Sequence, residues 1–135
     1  MDPEVWGPQY WFFLHSAAYS YPRNPTAIQR KIFYRLMHHF SEYIPHADSA
    51  NLYRKLLDAN PVAPYLDTKE DLMRWTNLMH NKVNEVLRKP LVPFNDFRKK
   101  FENPQPVNRR NPDETKWFLL VMIVLVVLTI LMCSN

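Results

Sequence analysis

Glycine is almost absent from this 135-residue chain, in which Gly7 is the only one. Phosphate-binding loops of the Walker and dinucleotide-fold types need several glycines, because their backbone adopts positive φ angles and approaches the phosphates closely. Both kinds of site are therefore excluded. Any nucleotide would have to be bound by side chains on helices, with aromatic faces against its ring and Lys, Arg, His or Asn against its phosphates and edges.

Cysteine is equally scarce, and Cys133 is the only one. The chain can form no internal disulfide, and it contains no Cys-x-x-Cys redox pair. This composition agrees with a reducing compartment.

Charge, proline and glycine are all missing from positions 117–133, which read WFLLVMIVLVVLTILMC. As a helix this run would be about 25 Å long, near the lower limit for crossing a bilayer. A buried core helix is the alternative, but a run that is apolar on every side, with Trp117 at its start, favours a C-terminal transmembrane helix. Its position near the C-terminus argues against a cleavable secretory signal.

Positive charge lies on one side of this run, where Arg109, Arg110 and Lys116 precede it. The positive-inside rule then predicts a single-pass C-terminal anchor with the N-terminal domain facing the cytoplasm. The net charge of +4 fits attraction to anionic membrane lipid at least as well as nucleic-acid binding. We expect a lipid partner through the C-terminal helix and no nucleic-acid partner.

Twelve prolines divide the remainder into helical segments, and no segment shows sustained strand alternation. The predicted helices cover about residues 8–21, 26–44, 49–60, 69–87 and 96–102. Their expected first residues or caps are Pro8 in the first turn, Thr26, Asp48 or Ser49, and Asp67 or Thr68. In the second helix the apolar residues at helical spacing are Ile28, Ile32, Leu36, Phe40 and Ile44.

The predicted fold class is all-α: a four-helix bundle with a short fifth helix, plus one C-terminal transmembrane helix. The domain occupies residues 1–102 and includes a stiff, extended connector at 61–66. A proline-rich, charged linker follows at 103–116, and the transmembrane helix at 117–133.

Side chains suited to holding a nucleotide occur in two separate stretches. The first contains Trp6, Tyr10, Trp11 and His15, and the second Trp75, His80 and Asn84. Trp11 and His15 are four residues apart and share a helix face, as do His80 and Asn84. Taken singly, such tryptophans are more often core residues and such histidines are usually structural, so composition alone leaves the function open.

The order and spacing of these residues resemble the Erv/ALR family of FAD-linked sulfhydryl oxidases. Three blocks carry the resemblance, which covers about residues 6–94. They are Trp6-Gly-Pro-x-x-Trp11-x-x-x-His15 followed by Tyr21-Pro22, then Pro45-His46-x-x-Ser49, and finally Trp75-x4-His80-Asn81-x-Val83-Asn84-x4-Lys89-Pro90.

The resemblance implies a helical bundle with FAD at its mouth and a homodimer formed through the first two helices. The residues that it assigns to the cofactor are Gly7, Pro8, Trp11, His15, Tyr21, Trp75, His80, Asn81, Val83, Asn84 and Lys89. Of these, Lys89 would approach the phosphates, and its ammonium group suits a pyrophosphate.

The chain departs from the family pattern at its redox centre, because His46 and Ser49 occupy the positions of the Cys-x-x-Cys pair. Neither residue can form a disulfide or relay two electrons, so no catalytic residue is assigned. Asp48 or Ser49 capping the third helix, with His46 in a solvated loop, is one interpretation. A second makes His46 a base that activates a substrate thiol. A third, metal binding by His38, His39 and His46, lacks a complete ligand set.

Two functions follow from the resemblance. The first is a membrane-anchored flavoprotein that oxidises thiols to disulfides with oxygen as acceptor, reduced directly by a protein thiol substrate or a thiol-disulfide partner. Short relatives of this kind occur in large DNA viruses, which would place the anchor in a virion or host membrane. The alternative is a catalytically inactive flavin-binding scaffold or dimerisation partner at a membrane. A helical anchor without cofactor is the third possibility.

Overall fold

The computed structural model describes residues 2–102 and Lys116. The chain divides into two compact units after Glu102, and the first unit contains the five helices described below. The predicted linker and the predicted transmembrane helix lie outside the described residues, apart from Lys116. Within the described part, no helix is both long and apolar enough to cross a bilayer.

The predicted all-helical architecture of the domain is confirmed. The helices are α1 (Pro3–Ser20), α2 (Ala27–His39), α3 (Ala47–Ala59), α4 (Lys69–Val86) and α5 (Phe94–Glu102). Two single 3₁₀ turns, Phe40–Tyr43 and Ala63–Tyr65, follow α2 and α3. The second of these turns interrupts the connector that was predicted to be extended.

Helix α1 begins at Pro3, five residues before the start predicted at Pro8. Asp2 caps it by accepting a hydrogen bond from the N–H of Glu4 at 2.9 Å, and Pro3 occupies the first turn. The prediction that Pro8 lies in the first turn is therefore wrong, because a complete start signal precedes it. Pro8 lies inside the helix, where it cannot donate to the carbonyl of Glu4.

Helix α2 begins as predicted and ends early. Thr26 caps it by accepting a hydrogen bond from the Gln29 N–H, and the Gln29 side chain accepts one from the Thr26 N–H, which completes a capping box. The helix stops at His39, short of the predicted Ile44. Ile28 and Ile32, the first members of the apolar series, remain 73% and 57% exposed, because residues four apart drift around a helix with 3.6 residues per turn.

The core is built around α1 and α4, the helix pair in closest association, and contains side chains from all five helices. Large side chains buried there include Leu14, Met37, Leu72, Trp75 and Met79. Two buried rings donate to main-chain carbonyls: the Tyr21 hydroxyl donates to Leu66 and the Trp75 indole N–H to Asn60. Such pairing removes the cost of burying these polar atoms. Pairing of α1 with α4 also brings the two predicted cofactor stretches together.

Candidate functional site

Two histidines from opposite ends of the domain sequence meet at the centre of the site. His15 Nε2 on α1 lies 3.0 Å from His80 Nδ1 on α4, which is hydrogen-bonding distance. His15 is buried, and His80 is partly buried. The packing of α1 against α4 thus brings together two side chains that are 65 residues apart in sequence.

An indole ring lies flat against this histidine pair. The Trp11 ring centre is 4.3 Å from that of His80, and the planes are inclined by only 10°. Trp11 also stacks on His15, one turn along α1, at 5.6 Å. Trp11 is itself partly exposed, so the stack forms a flat aromatic surface that reaches solvent.

Helix α5 contributes residues that sequence reasoning missed. The Phe97 ring packs edge-on against His15 with ring centres 4.5 Å apart, and Phe101 does so at 6.1 Å. The available signal was the spacing of Phe94, Phe97 and Phe101, which places three rings on one side of a short helix. The site therefore has three helical walls: α1, α4 and α5.

Burial keeps both histidines neutral. Desolvation, followed by the neighbouring His80 and the Lys100 charge, lowers the pKa of His15 from 6.5 to about 3. Desolvation, then Lys100 and Lys89, lowers the pKa of His80 to about 4. At neutral pH each ring thus has one N–H and one unprotonated nitrogen. In the hydrogen bond between the rings, one histidine donates its N–H and the other accepts it. Lys100, like Phe97 and Phe101, is a site residue that sequence reasoning missed.

One polar atom of the pair has no protein partner within the described residues. His15 Nδ1 is fully buried and makes no hydrogen bond there. A buried polar atom left without a partner costs stability, and such atoms often mark a place where a ligand or water binds. The site therefore has an unused hydrogen-bonding position beside its aromatic surface.

The exit of α4 determines where Lys89 lies. The Asn84 side-chain amide donates to the carbonyl of Pro90 at 3.3 Å, and the Lys89 N–H donates to the carbonyl of Asn84 at 2.8 Å. Arg88 takes the left-handed conformation, with φ of 55°, which is usually left to glycine after a helix. Lys89 Nζ then contacts Glu4 at 2.7 Å.

The other predicted cofactor residues have different surroundings. Asn81 exchanges two hydrogen bonds of 2.9 Å with the main chain of Val92, so its amide fastens the segment before α5. Tyr21 and Trp75 are buried in the core, with 1% and no exposed surface respectively, and as placed they offer no ring face to a ligand. Val83 is partly buried on α4.

Gly7 and Pro8 lie on α1 before the aromatic stack. Gly7 is partly buried and Pro8 exposed. A Cβ built on Gly7 would meet no atom within 4 Å, so the space beside it is open.

His46 caps α3 itself, so the prediction that Asp48 or Ser49 would cap this helix is wrong. His46 Nδ1 accepts a hydrogen bond from the N–H of Ser49 at 3.3 Å and lies 3.1 Å from its hydroxyl. The imidazole acts as the cap because its Nδ1 reaches the third helical N–H, as a short polar side chain does.

The histidines considered as metal ligands have separate partners. His39 contacts Glu42 at 2.7 Å, and His38 packs against the Tyr34 ring. Among residues 2–102 no three His, Cys, Asp or Glu side chains converge as a ligand group.

Comparison with known proteins gives a consistent result. The model of the Erv1 / Alr family matches residues 8–105. The mitochondrial FAD-linked sulfhydryl oxidase ERV1 of Saccharomyces cerevisiae is 36% identical over 102 residues, which cover 76% of this chain and 53% of that protein. A probable FAD-linked sulfhydryl oxidase of Acanthamoeba polyphaga mimivirus is 26% identical over 121 residues, which cover 89% of this chain and 83% of the viral protein. The chain thus spans about half the length of its yeast relatives.

Among solved structures, the crystal structure of the FAD binding domain of Erv1 from Saccharomyces cerevisiae superposes with a TM-score of 0.72 at 36% identity. The match covers 78% of this chain and 98% of that domain.

Proposed function

Since the chain belongs to the Erv1 / Alr family, we propose that its helical unit binds FAD between α1, α4 and α5 and takes part in thiol oxidation. The cofactor, when bound, supplies the acceptor for the two electrons that two thiols lose in forming a disulfide, and oxygen then takes them up as hydrogen peroxide. The electron donor would be a protein thiol substrate or a thiol-disulfide partner, because residues 46 and 49 are not cysteines.

The observation that carries the proposal is the His15–His80 pair under the Trp11 ring. The buried, unpartnered His15 Nδ1 is an unused position for a polar atom of a ligand. Trp11 supplies a flat apolar face. Lys89 and Lys100 both act electrostatically on His80, so two positive charges influence this ring. An aromatic face, a vacant hydrogen-bonding position and two cations fit a flavin dinucleotide.

Different residues of this chain would bind different parts of the cofactor. The neutral histidines can exchange hydrogen bonds with a polar ring edge without adding charge to the buried site. Phe97 helps to exclude water from His15. The exposed ammonium groups of Lys89 and Lys100 suit the phosphates, for which a compact positive charge is a good partner.

A visible spectrum of the full chain, purified in nonionic detergent with excess FAD and then desalted, tests the cofactor. We expect a flavin band that His80→Ala abolishes and that His38→Ala, a matched change on α2, retains. A colourless wild-type protein would contradict FAD binding and support a purely structural helical unit.

Oxygen uptake with dithiothreitol as the thiol then distinguishes an active oxidase from a catalytically inactive flavin-binding protein. A flavin-loaded protein that consumes oxygen supports thiol oxidation. A flavin-loaded protein that consumes none supports a catalytically inactive flavin-binding scaffold or dimerisation partner, the function favoured by His46 and Ser49 at the redox positions.

A homodimer through α1 and α2 belongs to the same proposal. Phe12 and Phe13 on α1, and Ile28 and Ile32 on α2, are all more than half exposed. Solvent-facing apolar side chains concentrated on two helices favour burial against another protein surface. We propose that a second copy of this chain covers these side chains.

The final part of the proposal concerns the membrane. The uncharged run at 117–133 and the preceding Arg109, Arg110 and Lys116 support a single-pass anchor in a virion or host membrane, with the helical unit in the cytoplasm. Carbonate extraction of membranes from expressing cells tests the anchor, since a spanning protein stays in the pellet. Protease digestion of intact cells tests orientation: a cytoplasmic unit is protected until the membrane is permeabilised.

A further inference from the structure

Lys89 already has an anionic partner within the chain. Its Nζ lies 2.7 Å from Oε1 of Glu4, a residue 85 positions earlier. The contact joins the first turn of α1 to the segment that follows α4. Both side chains retain access to solvent, at 71% for Glu4 and 45% for Lys89. An approaching ligand can therefore reach this ion pair.

The backbone holds Lys89 beside the candidate site. The left-handed Arg88 turns the chain, and the hydrogen bond from the Lys89 N–H to the Asn84 carbonyl fixes the next residue against the end of α4. The Lys89 charge also contributes to the lowered pKa of His80. The same ammonium group thus contacts the Glu4 carboxylate and acts electrostatically on His80.

We propose that Glu4 competes with the phosphates of a bound dinucleotide for Lys89. This inference rests on the proposed function and names a residue that tunes it. A pyrophosphate carries about two negative charges, and contact with the same ammonium would bring it within about 5 Å of the Glu4 carboxylate, where like charges repel. Binding therefore exchanges the internal ion pair for a phosphate contact.

The position of Glu4 in α1 makes this exchange possible. Glu4 lies in the first helical turn, where the unpaired N–H groups and the helix dipole stabilise a negative charge. The carboxylate keeps that stabilisation after Lys89 leaves it. In the ligand-free chain the ion pair ties α1 to the exit of α4, and in the bound chain Glu4 returns to solvent.

Glu4→Gln tests the competition through the FAD dissociation constant, measured on the full chain in detergent by quenching of flavin fluorescence. We expect affinity about two- to fivefold tighter than wild type in 20 mM salt, the range typical of exposed ion pairs. The gain should shrink towards zero in 0.5 M NaCl. Glu70→Gln is the matched control, because it removes the same charge from another exposed ion pair, with Arg74.

A double-variant cycle shows whether Glu4 acts through Lys89. In the Lys89→Gln background, Glu4→Gln should leave FAD affinity unchanged. Affinity equal to or weaker than wild type for Glu4→Gln, or the same gain in the Lys89→Gln background, overturns the inference while FAD binding stands. If the wild-type chain binds no FAD, the proposed function itself fails and the competition fails with it.

Discussion

Two neutral histidines hydrogen-bonded to each other make the stability of the domain sensitive to acid. The pKa is about 3 for His15 and about 4 for His80 in the folded chain, against 6.5 ordinarily. Between pH 6.5 and about pH 4 the unfolded chain consequently binds more protons than the folded chain. The free energy of unfolding must therefore fall as pH decreases through this interval.

Urea denaturation at pH 7, 6 and 5 measures this loss. We expect His15 to contribute about 1 kcal/mol per pH unit, with a smaller share from the more exposed His80. His15→Gln should flatten the pH dependence, whereas His38→Gln on α2 should preserve it. Equal slopes for wild type and His15→Gln would mean that His15 is not buried as a neutral ring.

Arg88 gives a second prediction about a single residue, because its φ of 55° is costly for a side chain with a Cβ. Arg88→Gly should raise the free energy of unfolding by about 0.5–1 kcal/mol, after allowing for the greater freedom of glycine in the unfolded chain. Arg88→Ala is the control, since it removes the same charge but keeps the Cβ. If alanine stabilises the protein as much as glycine does, charge and not backbone strain is responsible.

At the level of the helix, the start of α3 retains a geometry suited to reactive thiols. Residues 46 and 49 are the cap and the third helical residue, three apart across one turn. Unpaired N–H groups at a helix start stabilise a thiolate and lower its pKa. The imidazole of His46 now accepts one of those hydrogens.

The double variant His46→Cys with Ser49→Cys should therefore form an intrachain disulfide, seen by mass spectrometry as the loss of two hydrogens. In the FAD-loaded protein we also expect faster oxygen uptake with dithiothreitol than in wild type. Each single cysteine variant serves as control and should give no gain. A flavin-loaded disulfide form with no increase in turnover would mean that the start of α3 is not beside the flavin ring.

For the molecule as a whole, the proposed homodimer can be tested at the exposed apolar side chains of α1 and α2. Replacing Ile28 and Ile32 with glutamine should weaken the dimer at least about tenfold, because each removes an apolar side chain from the proposed interface. Sedimentation velocity over a concentration series measures this change. Val86→Gln with Leu87→Gln is the matched control, since both are exposed apolar residues at the end of α4. Equal weakening by both pairs would place the contact elsewhere.

Much of the domain follows from local chemistry that the sequence alone carries. Prolines and capping residues indicated that the domain is helical, and they located the starts of α2 and α4 at Thr26 and Thr68. These signals act within one turn, so no tertiary contact is needed to interpret them. The family resemblance likewise depended on local spacing, in blocks such as His80-Asn81-x-Val83-Asn84.

Tertiary structure decided which of these side chains share a site. Only the pairing of α1 with α4 brings His15 against His80, and only the packing of α5 adds Phe97 and Lys100. Tertiary packing also placed Trp75 in the core. Contacts between residues dozens of positions apart depend on how helices cross, and a helix's own periodicity does not specify its neighbour. Local sequence therefore specified the helices, and their packing specified the site.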